Sequence, residues 1–218
     1  MFSHIQPEIL NRIFQTELFS RYGAESTLPT VTRTVKGLVF VQLYAVYEYT
    51  LTECFSAAAR AISVHEIPAS DIRPEILSVA FDPIFSSLSD ITTQRSWPKR
   101  VEILEFSRGS SPVFLSDDLF PSDGSHFRPQ QLSTVWSILG IKAPTLIDAV
   151  HEGRINEIVE HRNAIAHGRE EASNIGSRFT VEEIKKRIDD MRAICLHIVE
   201  TIEDHCMNAD NLREVSEK

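Results

Sequence analysis

From Val35 to Ile62 the chain runs without a proline and with one glycine, Gly37, while large apolar residues recur every three or four positions. At ~100° per residue, Phe40, Tyr44, Tyr47, Leu51, Cys54, Phe55, Ala58 and Ile62 fall on one broad stripe, the pattern of a long α-helix with a buried face. Glu48 falls inside that stripe, beside Tyr44, Leu51 and Phe55, whereas Glu53 points away. A carboxylate in such a place needs a partner, because burying an unpaired charge is costly.

The same periodicity organises most of the chain. Pro7 to Tyr22 reads as a first helix carrying Ile9, Leu10, Ile13, Phe14 and Leu18, with Pro7 in the first turn and Gly23 as its stop. Thr27 to Thr34, β-branched and proline-containing, reads as a connector. Pro74 to Leu88 is helical in pattern, while Trp97 to Phe106 fits either a helix or a short amphipathic strand. Residues 107–128 are rich in Ser, Asp, Pro and Gly, with Asp123-Gly124 as a turn signal. A connection of that length is expected to be functional or mobile.

Pro129 to Leu139 returns to helix and stops at Gly140. Thr145 to His167 reads as one helix or a pair broken at Gly153, with Gly168 as the stop. Thr180 and Glu183 form a capping box that opens a last long helix bearing Ile184, Ile188, Met191, Cys195, Ile198 and Ile202. With only 8 glycines in 218 residues and few hairpin dipeptides, the fold class is all-α. The expected organisation is an N-terminal helix and connector over 1–34, a helical domain over 35–208 and a flexible tail over 209–218.

Composition narrows the function classes. No apolar run approaches the ~18–20 residues needed to span a bilayer, and the N-terminus lacks the basic and apolar regions of a signal peptide. Cys54, Cys195 and Cys206 are too few and scattered for a disulfide framework or a zinc site, so a reducing cytoplasm is expected. A formal net charge of −9 argues against a protein that coats nucleic acid, yet leaves room for an enzyme touching a few phosphates in one local basic site.

The segment Ile155 to His167 concentrates the chemistry. Ile155, Ile158, Val159, Ile165 and Ala166 share one apolar face, and Arg162 sits in its middle, where a permanently charged side chain needs a reason. Asn156, Asn163 and His167 line the edge of that face at spacings of seven and four. Two plainer readings compete: Arg162 in a buried ion pair with Glu48 that serves packing alone, and His167 as a favourable cation at a helix C-terminus. Asn156 alone reads as a solvated edge residue. Asp117, Asp118, Asp123 and His126 match no EF-hand or zinc spacing. Arg95, Lys99, Arg100 and Arg108 around Trp97 could face RNA or simply solvent.

The string Glu160-His161-Arg162-Asn163-Ala164-Ile165-Ala166-His167-Gly168 resembles the signature of the HEPN superfamily, an Arg followed four to six residues later by a His, with a polar residue after the Arg. The segments Phe127–Ile141 and Ile147–Val159, and the aromatic helix ending in Tyr47-Glu48, resemble the same group of bacterial proteins. Similarity extends from about Val35 to Cys206.

That resemblance implies a HEPN-type antiparallel helical bundle, here with an additional N-terminal helix and a long loop. It also implies a homodimer whose two motifs face one cleft, and RNA cleavage without metal or other cofactor. Arg162, Asn163 and His167 would form the catalytic centre, with Glu48 holding Arg162. A non-catalytic helical module that binds a partner protein or nucleotide is the alternative.

The implied biology is the RNA-cleaving arm of a toxin–antitoxin or defence system, with any antitoxin or regulator on a separate chain. HEPN toxins modified by a nucleotidyltransferase antitoxin carry a tyrosine four residues after the histidine. Glu171 stands there in this chain, which argues against such modification. Arg162 and His167 are five positions apart, roughly 140° around an ideal helix, so a distorted last turn, the reach of Arg or a second subunit must bring them to one phosphate.

Overall fold

The computed structural model describes residues 1–89, 93–116 and 127–213. Its architecture is all-α, with ten helices among those residues: α1 Ile5–Ala24, α2 Pro29–Val64, α3 Pro74–Ala80, α4 Asp82–Ser89, α5 Thr93–Ser107, α6 Pro129–Leu139, α7 Val150–Ala166, α8 Ala172–Gly176, α9 Val181–Cys206 and α10 Ala209–Leu212. The acidic loop residues Asp117, Asp118, Asp123 and His126, and the chain beyond Arg213, lie outside the described residues.

Helix α2 is the axis of the bundle. Its 36 residues make it about 54 Å long, and α1, α7, α8 and α9 all pack on it. Every residue of the expected stripe is buried, and Val39, Leu43, Val46, Ala57 and Ala61 are buried beside them, because neighbours cover the helix on more than one side. It begins at Pro29, so most of the expected Thr27–Thr34 connector is helix. Proline at the first helical position sacrifices no hydrogen bond and is preset in φ.

Helix α1 joins α2 through a four-residue turn, Glu25–Leu28, which makes the pair an antiparallel hairpin. Its buried face is Ile5, Ile9, Ile13 and Thr16, while Leu10 and Phe14, expected in the core, point outward. Gly23 does not stop the helix but lies buried in its last turn. A Cβ there would stand 2.4 Å from Val35 Cγ1, so the glycine allows α1 and α2 to approach.

The stretch read as one helix from Pro74 splits into α3 and α4 at Phe81, and Trp97–Phe106 resolves as part of α5. Gly153 makes no break in α7. The chain that precedes α7, from Ile141 to Ala149, is not regular helix, with Thr145 inside it. Two of the three expected glycine stops hold: Gly140 and Gly168 adopt φ of 70° and 65°. Each closes the hydrogen-bond pair of a Schellman ending: Ile141 N–H to Trp136 and Gly140 to Ser137, then Arg169 to Ala164 and Gly168 to Ile165.

The capping box at Thr180 also forms: the hydroxyl accepts from Glu183 N–H at 3.1 Å and the Glu183 carboxylate accepts from Thr180 N–H at 2.7 Å. Helix α9 buries all six expected apolar residues against α1, α2 and α7. Cys195 and Cys206 are core residues, and burial pushes both thiols up to about 12. The tail does not fray at Asn208: α10 buries Leu212, whose carbonyl accepts from Arg73 N–H at 3.0 Å. No helix among the described residues is long and apolar enough to cross a membrane.

Backbone packs directly against backbone between α2 and α8. A Cβ on Gly37 would lie 1.9 Å from the Ala172 carbonyl oxygen, and one on Gly176 1.9 Å from that of Arg33. Gly176→Ala is therefore expected to destabilise the protein by about 2 kcal/mol or more, since neither carbonyl can move without shifting its helix. Gly153, with nothing within 4 Å of its would-be Cβ, is exposed in mid-helix, and Gly153→Ala should stabilise by about 0.5–1 kcal/mol. Denaturant unfolding of both variants checks the opposite signs, and equal effects would refute this account of the packing.

Candidate functional site

Helix α7 presents three chemically different faces. Ile155, Ile158 and Val159 are buried in the core. Arg154, Glu157 and His161 turn toward α9 and Phe179, and Asn156, Glu160, Asn163 and His167 run along the remaining edge. Ile165 is half-buried and Ala166 exposed, so the apolar face fades toward the C-terminal end.

Arg162 is half-buried, with its guanidinium carbon 4.4 Å from the centre of the Tyr44 ring. That places a cation against the negative face of an aromatic ring. Its Nη1 donates to Asn163 Oδ1 at 3.1 Å, and Asn163 is itself 5% exposed. The guanidinium plane is thus set by a ring on one side and an amide at one edge.

The expected direct ion pair between Glu48 and Arg162 does not form: among the described residues no carboxylate lies within ion-pair distance of this guanidinium. Glu48 reaches Arg162 through Tyr44 instead. The Tyr44 hydroxyl lies in the field of the Glu48 carboxylate and is hydrogen-bonded to the backbone of Phe127. Burial raises the pKa of this phenol, the charge of Glu48 raises it further, and Arg162 lowers it, so the hydroxyl remains a donor. The sequence pattern put Glu48 and Arg162 on facing stripes; the side chain filling the space between them is Tyr44, one turn before Glu48.

His167 ends α7, exposed, with its N–H donating to the Asn163 carbonyl at 3.1 Å. The left-handed turn at Gly168 carries the chain away after it, so the imidazole stands where the helix stops. Arg162, Asn163 and His167 therefore share one stretch of α7, the first two joined by a hydrogen bond and the third at the helix end.

Two groups near this site escape the sequence signature. Arg128, which begins α6, donates from Nη1 to Asn156 Oδ1 at 3.3 Å and stands 3.9 Å from the Glu160 carboxylate. His161, beside Arg162 in sequence, is wedged edge-on between Phe40 and Phe179, with ring centroids 4.7 and 5.6 Å away. Desolvation lowers its pKa against the opposing pull of Glu157, which marks it as a packed neutral ring rather than a proton carrier. Only its position between Phe40 of α2 and Phe179 of the α8–α9 connection could have signalled that.

On the α9 side, Glu157 accepts from Arg187 Nη2 at 2.6 Å and Nε at 3.1 Å, and also pairs with Arg154, which donates to Asp190 at 2.8 Å. Arg187 packs over Phe179 at 4.3 Å. This network ties α7 to α9 and fixes the rotation of α7, hence the direction in which Arg162 points. The basic cluster around Trp97 lies on α5, which packs against α4. Arg100 stacks on the Trp97 ring at 5.1 Å and Lys99 donates to Ser87 at 2.9 Å, both remote in sequence from α7. Among the described residues no cluster of His, Cys, Asp and Glu could hold a metal ion.

A family model for MAE_28990-like HEPN domains matches residues 11–210, nearly the whole chain and most of α1 with it. No curated protein and no solved structure matches.

Burial alone would raise the carboxyl of Glu157, but the hydrogen bonds from Arg187 and Arg154 outweigh it and hold the group below the ordinary value. A carboxylate with a depressed folded pKa contributes stability above its unfolded value of about 4.3, and loses it as pH falls through the folded pKa. Glu157→Gln is expected to cost about 3 kcal/mol at neutral pH and to shrink the acid-side loss of stability. Unfolding curves at pH 7 and below 4 test this, and parallel losses in wild type and variant would contradict it.

Proposed function

The chain belongs to the HEPN family, and from that membership we propose that it is an endoribonuclease that cleaves RNA without a metal ion, through Arg162, Asn163 and His167. The observation that supports it most is the state of Arg162: held in orientation by Tyr44 and Asn163, yet with no carboxylate paired to it among the described residues. A cation used only for packing would be neutralised. One kept fixed and charged suits an anion.

The chemistry needs three things. The ribose 2′-oxygen attacks the adjacent phosphorus, its proton must leave, and the P–O5′ bond breaks as a proton reaches the departing oxygen. The products are a 2′,3′-cyclic phosphate and a 5′-hydroxyl. Arg162 offers its fork of donors to the extra negative charge on the phosphorane, the task a metal would otherwise perform. Asn163 holds that fork by accepting from it. His167, exposed at the helix end, carries the imidazole that would take the proton from the 2′-oxygen or give one to the departing 5′-oxygen.

The angular separation of Arg162 and His167 on α7 suits a homodimer, in which two such motifs share one cleft. The three free cysteines, all buried, accord with a reducing cytoplasm. The biological role follows from the family alone: the RNA-cleaving toxin or effector of a bacterial toxin–antitoxin or defence system, controlled by a separate antitoxin or regulator. The net charge of −9 favours one second reading, a non-catalytic HEPN module that binds a partner protein or nucleotide.

Purified protein incubated with end-labelled total RNA in excess EDTA should cleave it and leave 2′,3′-cyclic phosphate ends. Folded Arg162→Ala and His167→Ala variants should each lose at least about 100-fold, the usual scale for removing a proton carrier or a charge stabiliser. Cleavage unchanged in both variants would refute the assignment. Absence of cleavage across RNA classes would favour the binding module, and a monomer at fully active concentration in sedimentation would refute the shared cleft.

A further inference from the structure

Asn156, Glu160, Asn163 and His167 follow one another at spacings of four, three and four, so they form a single row along the edge of α7. Arg128 stands over the upstream end of that row, donating to Asn156 at 3.3 Å. Seven residues separate Asn156 from Asn163, about 10 Å along the helix axis. Arg128 is therefore a second cation on the same edge, displaced from the Arg162 centre rather than part of it.

Its pairing differs from that of the structural arginines. Arg154 and Arg187 are about nine-tenths buried and meet carboxylates at hydrogen-bond distance, whereas Arg128 is 43% exposed and its carboxylate neighbour Glu160 is 67% exposed at 3.9 Å. A surface pair that loose contributes little to folding. The backbone beneath it is nevertheless firmly placed. Arg128 N–H donates to Gln131 Oε1 at 2.9 Å, and Phe127 is buried with its backbone bonded to Tyr44, the ring that carries Arg162. A fixed backbone thus presents an exposed guanidinium, linked through one phenol to the catalytic arginine.

We propose that Arg128 is a substrate-binding residue that holds the phosphate flanking the scissile one, so that the substrate is a single RNA strand laid along α7 from Arg128 to His167. The proposal rests on the reading of Arg162, Asn163 and His167 as an RNA-cleaving site. Glu160 and His167 are exposed and Asn156 partly so, a single line that suits one sugar–phosphate backbone, while Asn163 within it is buried and holds Arg162. Glu160 acts as the anion that the flanking phosphate displaces from Arg128. In a protein of net charge −9, attraction for RNA has to come from such local cations.

The test uses the full chain carrying His167→Ala, so that RNA is bound without being cut. Affinity for a short labelled single-stranded RNA is measured over a range of salt. Adding Arg128→Gln should weaken binding evenly across sequences and reduce the slope of log K against log salt by about 0.7, one phosphate contact. Adding Glu160→Gln instead should tighten binding, an arm that stands even if Arg128→Gln fails to fold. With His167 intact, Arg128→Gln should lower kcat/KM on an oligonucleotide but leave a dinucleotide, which has only the scissile phosphate, unaffected.

An unchanged salt slope, with binding that still depends on Arg162, would overturn this inference and leave the proposed function standing. Equal losses on dinucleotide and oligonucleotide would move Arg128 into the scissile centre and also overturn it. Tighter binding to a duplex than to a single strand would overturn the substrate class. No RNA binding by any form would remove both readings.

Discussion

The bundle depends on a close contact between two short stretches of backbone. Carbonyl oxygens of Ala172 and Arg33 occupy the space where Gly37 and Gly176 would otherwise carry Cβ atoms, so α8 lies directly on α2. That contact brings the chain back to the bundle axis within a few residues of Gly168, and so fixes where α7 can end. Phe179, just beyond α8, then lies between Phe40 and Arg187, and its carbonyl accepts from Lys36. The capping box at Thr180 follows at once and launches α9 along α1, α2 and α7. The position of His167 is the outcome of packing at two glycines, neither of which is near it in chemistry.

Rotation of α7 about its own axis is settled separately. Apolar burial of Ile155, Ile158 and Val159 would tolerate some rolling, since it is not directional. The Glu157–Arg187 fork and the Arg154–Asp190 bond are directional, and they sit on the flank opposite the edge that carries Asn156 and Asn163. An ionic lock on one flank thus orients the polar row on the other. Such a lock contributes modestly to net stability, because desolvating four charged groups offsets most of the attraction. Its larger effect is on geometry.

What could be read from the sequence was whatever is decided locally. Gly140, Gly168 and the Thr180 capping box are settled by neighbouring backbone groups, and each appears where the residues imply. The apolar stripes of α2 and α9 are likewise intrinsic to those segments. Gly23, Gly37 and Gly176 were illegible for the converse reason, since each exists to admit a helix distant in the chain. Leu10 and Phe14 have the same periodicity as Ile9 and Ile13, and only the placement of α2 and α9 separates the outward pair from the inward one. Arg162 stands out in the sequence because an arginine on an apolar face is anomalous in any fold, and its hydrogen bond to Asn163 joins two of the three residues that the spacing grouped. Glu48 stands out in the sequence as a carboxylate on an apolar stripe, but its expected direct pair with Arg162 does not form, because wheel angles carry no information about Tyr44.

That intervening ring has an electrical consequence. An acid placed directly against Arg162 would have positioned it and cancelled it together. A phenol positions the guanidinium through its quadrupole, which orients a cation without lowering its formal charge, and keeps the carboxylate of Glu48 one side chain away. The arrangement separates holding a charge from neutralising it. In a protein of net charge −9, one guanidinium is in this way held in place with no carboxylate directly against it among the described residues.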